Sequence, residues 1–142
     1  MLGRRAAEPG RLRLHLAHVV IAQGRPEEGV ALLEPVLQAS PQRDERYLAY
    51  LFLGQAHVLA GRPDAAAKAF SASAAESLCG RAAAVAPAHL AYREQRFDAA
   101  SDVLDSALRH PVGCADPWAT YDFGPVARLA TLTDELRRAV RP

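Results

Sequence analysis

Aromatic side chains are scarce: Phe, Trp and Tyr make up 6% of the 142 residues, and Trp occurs once. Cysteine is equally sparse. Cys79 and Cys114 are far apart and form no CxxC pair, which argues against a disulfide framework or a zinc site. Both are expected to behave as small apolar residues in a reducing cytoplasm. Lysine appears only as Lys68, beside 16 arginines, and the formal net charge is +1. No strong field therefore favours nucleic acid or an anionic membrane. The longest apolar run, "LAYLFLGQAHVLA" at 48–60, falls short of the ~20 residues that span a bilayer. The first ten residues carry a double arginine, but Arg13, His15 and His18 break the stretch after it and no small-residue cleavage site follows. No export signal is expected, and the chain is placed in the cytoplasm.

Alanine is what the chain has in quantity, about a fifth of all residues. It is the best helix former, and its small side chain lets helices pack closely. Alanine together with arginine in place of lysine suggests a GC-rich bacterial source.

Helical spacing runs along most of the sequence. Leu12, Leu16, Val19 and Val20 mark a first helix stopped by Gly24. Pro26 opens a second at its first turn, where a missing N–H is harmless, and Glu27 and Glu28 suit its dipole. Pro35 predicts a kink or an early end there. Gly61, Pro63 and Asp64 repeat that punctuation between helices near 44–60 and 63–77. Helices near 80–93, with Pro87 inside, and 97–109 follow. Asp116 and Pro117 are expected to start a last helix, with Val126, Leu129, Leu132, Leu136 and Val140 as its apolar stripe. Aligning Gly29, Ala66 and Ala100 gives steps of 37 and 34 residues. Such periods signal a solenoid, in which each unit buries its apolar face against the next.

The pattern resembles the tetratricopeptide repeat, a 34-residue helix-turn-helix. "YLFLGQAH" supplies Tyr50, Leu53, Gly54 and His57, followed by Ala66 and Phe70, with Ser73 where alanine is usual. The first repeat matches through Leu16, Ala17, Val20, Gly24, Gly29, Leu33, Val36 and Pro41. The third departs on its first helix, where Pro87 and Ala88 replace Leu-Gly, and matches through Phe97, Ala100, Leu104 and Ala107 on its second. The resemblance implies an all-α solenoid of antiparallel helix hairpins, about seven helices. Residues 1–10 would be a flexible extension. Hairpins would occupy 11–41, 43–78 and 80–111, and residues 112–142 a loop and capping helix.

It also implies a concave groove lined by the first helix of each hairpin. Here that means Arg11, Leu14, His15, His18 and Ile21, then Leu48, Leu51, Phe52, Gln55, Val58 and Leu59, then Val85, His89, Tyr92 and Arg93. Family members that grip a C-terminal carboxylate use Lys, Asn and Arg in this groove. Leucines, a glutamine and histidines stand there instead, so no such clamp is expected. An apolar groove with a few polar points suits an amphipathic helix or apolar peptide. The chain's own last helix or a second copy are the alternatives. Trp118 and Tyr121 share one helix face, either sealing the third repeat or anchoring a partner.

The sequence carries no pattern that points to catalysis or metal binding. His18, Gln55 and His89 fall at equivalent points of successive repeats, but no third metal ligand accompanies the histidines. No G-x-S-x-G, G-x-x-x-x-G-K-[ST] or H-E-x-x-H occurs, so no catalytic residue, metal or cofactor is assigned. The expected role is a non-catalytic adaptor or scaffold that binds a protein or peptide, itself included as a homodimer, and not membrane or nucleic acid. A homo-oligomeric structural protein, or an accessory domain of a larger enzyme or regulatory system, is the alternative.

Overall fold

The computed structural model describes residues 9–77, 79–109, 116–119, 121 and 138. Among these residues there are six helices and no strand: α1 (Pro9–Ala22), α2 (Pro26–Ala39), α3 (Arg43–Leu59), α4 (Pro63–Glu76), α5 (Arg81–Arg93) and α6 (Phe97–Leu108). The seventh helix expected to start at Asp116 and Pro117 does not start there, since residues 117–119 form a turn; its stripe from Val126 to Val140 lies outside the described residues, as do residues 1–8 of the N-terminal extension. The first helix starts inside that expected extension, at Pro9. Helix α2 runs on past Pro35 to Ala39 instead of ending early, and α5 carries Pro87 inside it as expected.

Three hairpins follow one another. Helix α1 packs on α2, α3 on α4 and α5 on α6, while α2 packs on α3 and α4 on α5. The first helices also touch in series, α1 to α3 and α3 to α5. The result is an all-α, tetratricopeptide-like solenoid.

The turn inside each hairpin has one cause three times over. Gly24, Gly61 and Gln95 hold φ of +80°, +72° and +60°. Each is followed by an arginine whose N–H reaches back five residues: Arg25 to Val20, Arg62 to His57 and Arg96 to Ala91. Each left-handed residue also donates three residues back, to Ile21, Val58 and Tyr92. This is the Schellman closure, and it satisfies carbonyls the helix end would leave open. Pro26 and Pro63 then start the return helices. Neither Arg25 nor Arg62, the residues before α2 and α4, caps its helix with its side chain, so the prolines and the acids Glu27, Glu28 and Asp64 carry those ends.

Small residues set how closely the helices approach. A Cβ at Gly54 would fall 2.3 Å from the ring of Phe70, and one at Gly29 would fall 2.3 Å from Ile21. Phe70 of α4 therefore lies flush against α3. Truncating a buried Phe of this kind typically costs ~3–5 kcal/mol, against a total stability of ~5–15 kcal/mol. Ser73 is fully buried, and its hydroxyl donates to the Tyr47 carbonyl at 2.9 Å. That explains serine where the family pattern has alanine. Arg46 binds Glu76 through two nitrogens at 3.2 and 3.1 Å, tying α3 to the end of α4.

Gln95 is the one turn residue of the three that is not glycine, and a side chain in the left-handed region costs about 1–2 kcal/mol. Glycine loses more chain entropy on folding and gives part of that back. Gln95→Gly is expected to gain about 0.5–1 kcal/mol, raising the thermal midpoint by a few degrees in a calorimetric scan. A lower midpoint would contradict the turn geometry.

Candidate functional site

The first helices present their free sides to a common groove of about 520 Å³. Its walls come from His18, Ile21 and Ala22 of α1, from Leu51, Gln55, Val58 and Leu59 of α3, and from Ala82, Val85, Ala86, His89 and Arg93 of α5, with Phe70 and Trp118 completing it. Nine of the residues expected along the groove thus line one opening: His18, Ile21, Leu51, Gln55, Val58, Leu59, Val85, His89 and Arg93. Ile21 and Leu51 are themselves buried, so they form the floor. Leu59, His89 and Arg93 are exposed at the rim.

The other expected groove residues lie elsewhere. Leu14, Leu48 and Phe52 are buried core. Arg11, Leu14 and Leu48 border a smaller pocket of about 120 Å³ together with Tyr121. Tyr92 is exposed and meets Phe97 edge-on, with ring centroids 5.5 Å apart. The spacing of α1 and α3 is that of an amphipathic helix, and spacing alone does not separate groove floor from core.

The aromatic pair of the segment after α6 packs on the inner side of α1 and α3. Trp118 meets Phe52 edge-on at 5.7 Å, and Tyr121 meets it at 5.6 Å. His18 stacks on Phe52 at 4.7 Å, and His15 stacks on Tyr121 at 4.8 Å. The Tyr121 hydroxyl and His15 Nδ1 share a hydrogen bond of 2.9 Å across 106 residues of sequence. Among the described residues, the chain thus fills one end of its own groove and leaves the span between α3 and α5 open.

Asp116 positions that segment. One carboxylate oxygen accepts the Trp118 N–H at 2.9 Å, a local turn. The other accepts the Ala82 N–H at 2.8 Å, so Asp116 caps the start of α5 from 34 positions away in the sequence. Acid at a helix N-terminus is favourable in both charge and hydrogen bonding. The buried Tyr47 hydroxyl accepts from the Ala83 N–H at 3.2 Å. Burial, with the Asp116 carboxylate nearby, pushes the Tyr47 phenol far above its ordinary range. An Asp-Pro pair is legible as a turn or helix start. Its second partner, brought up by the stacking of hairpins, carries no local signal.

Cys79, in the turn between α4 and α5, is disulfide-bonded. The only other cysteine, Cys114, lies outside the described residues. This corrects the expectation of two unpaired apolar thiols and removes the ground on which a reducing compartment was expected. The bond at Cys79 has no sign in the sequence around it, since only the fold decides which partner a cysteine meets.

Among the described residues no three His, Cys, Asp or Glu side chains gather as a metal site, and no helix is long and apolar enough to cross a membrane.

Residues 14–78 match the tetratricopeptide repeat family. The matched segment, 14–78, is similar to tetratricopeptide repeats and takes in just under half of the chain. The match spans the first two hairpins, and the third repeats their turn geometry. Repeats of this family mediate protein–protein interaction and scaffolding and are typically non-catalytic. Neither the curated proteins nor the solved structures compared with the chain contain a match.

Burial lowers the pKa of His18 below its ordinary value of 6.5, and the charge of His15 lowers it further. Burial and then Arg62, which donates to His57 Nδ1 at 3.0 Å, lower that of His57. The folded state thus holds both rings neutral, while the unfolded chain takes up protons below about pH 6.5. Stability is unaffected above that pH and declines as pH falls below it. The thermal midpoint is expected to drop between pH 7 and pH 5, and to drop less in His18→Gln. A flat profile over that range would contradict the half-buried, neutral histidines.

Proposed function

We propose that this chain is a non-catalytic interaction module whose groove between α1, α3 and α5 takes an amphipathic helix or apolar peptide of a partner protein. One observation carries the reading. The open span of the groove is walled by Leu51, Val58, Leu59, Val85 and Ala86, with Gln55, His89 and Arg93 as its few polar points. Apolar walls supply affinity and sparse polar groups fix orientation and register. Among the described residues, the groove offers an incoming segment cationic and neutral groups but no carboxylate. A segment carrying an acidic residue opposite His89 and Arg93 is therefore favoured over a basic one.

Immobilised chain and cell extract test this. Leu59→Glu places a charge on the exposed groove rim, and Lys68→Glu places the same charge on the exposed surface of α4. Proteins held by the parent and by Lys68→Glu are expected to be lost from Leu59→Glu, with helical circular dichroism unchanged in all three. Equal retention by all three would overturn the groove as the binding surface.

A further inference from the structure

The three hairpins are near copies, so each position can be compared with its equivalents. Leu33 of α2, Phe70 of α4 and Leu104 of α6 occupy one position, 37 and 34 residues apart. Leu33 and Phe70 are 0% and 3% exposed, whereas Leu104 is 40% exposed. Helix α3 follows α2 and α5 follows α4, but among the described helices α6 packs on α5 alone. Phe97 and Leu108 extend the open stripe on α6.

The other end shows the counterpart. Ala49 of α3 and Ala83 of α5 share the position of Leu12 in α1, and Ala56 and Leu90 share that of Val19. Those four are buried, whereas Leu12 and Val19 are 57% and 51% exposed. On α3 the two alanines lie five residues before and two after Gly54. At ~100° per residue that is the side turned away from Phe70, toward the preceding hairpin. Leu16, between them on α1, is exposed as well. The stack therefore ends in two apolar faces, each of the kind that the interior hairpins cover with the other.

Charge agrees with this pairing. Helix α1 carries Arg11 and Arg13 and no acid, and α6 carries Asp98, Asp102 and Asp105 and no Lys or Arg. A single closing helix would cover one face and leave the other bare. We infer that a second copy of this chain covers them, α6 of one copy seating on α1 of the next as α2 seats on α3 and α4 on α5. The contact is head-to-tail, so it lengthens into a row unless its rotation closes a ring. Opposite charge on the two helices strengthens it at low salt.

Analytical ultracentrifugation of the parent, Leu16→Glu, Leu104→Glu and an equimolar mixture of the two variants tests the inference. Both side chains are exposed, so both variants are expected to keep the parent's circular dichroism. The parent's average mass is expected to rise above 15.3 kDa with concentration and to fall back with added salt. Each variant alone has one face spoiled and should stay a monomer. The mixture pairs the one sound α6 with the one sound α1 and should stop at a dimer. A parent that is monomeric at every concentration leaves α6 to another cover, such as the chain's own C-terminal stripe, and overturns the inference. So does a mixture that stays monomeric, or a variant that associates alone as the parent does.

Discussion

No hairpin in this chain has enough partners of its own: each can cover one side of its helices and must take cover for the other from the hairpin beside it. That constraint explains the repeated residue types. Gly54 is small because the ring of Phe70 lies against its backbone, and Gly29 because Ile21 does the same in the first hairpin. Phe70 also borders the groove beside α5, so one side chain joins the closure of its own hairpin to the stacking of the next. Burial follows position within the row, as a one-dimensional array requires. The same alignment position is closed in the interior and open at the ends.

Stacking also creates the functional surface. Because the first helices touch in series, their free sides become one groove instead of three separate faces. The segment 116–121 then finishes it. Asp116 is tied to the start of α5, and this aims Trp118 and Tyr121 at Phe52 and the two histidines of α1. The bond network thus links the third hairpin back to the first across the groove. Polar groups are satisfied along the way, and no buried side-chain nitrogen or oxygen among the described residues lacks a partner.

The row of hairpins was legible because its signals are local. Gly-Arg-Pro at 24–26 and 61–63 writes the Schellman turn and the proline start directly into the chain, and the third turn keeps the geometry with Gln95-Arg96-Phe97. The early end that Pro35 suggested does not occur, since packing on a neighbouring helix holds the chain helical past a proline. Groove residues were only partly legible. Leu14 and Phe52 share the helical spacing of Leu51 and Val58, and only the neighbouring hairpin decides which of them faces the opening. The capping of α5 by Asp116, the bonding of Cys79 and the packing of Trp118 and Tyr121 all depend on contacts between distant parts of the chain. None of these has a signature in the sequence around it.

Hydrogen exchange, followed residue by residue on the intact chain at low protein concentration, measures the mutual cover most directly. If neighbours supply the stability, amides of α3, with a hairpin on either side, exchange most slowly, and protection declines toward α1 and α6. Uniform protection along all six helices, or the slowest exchange in α1 or α6, would contradict it.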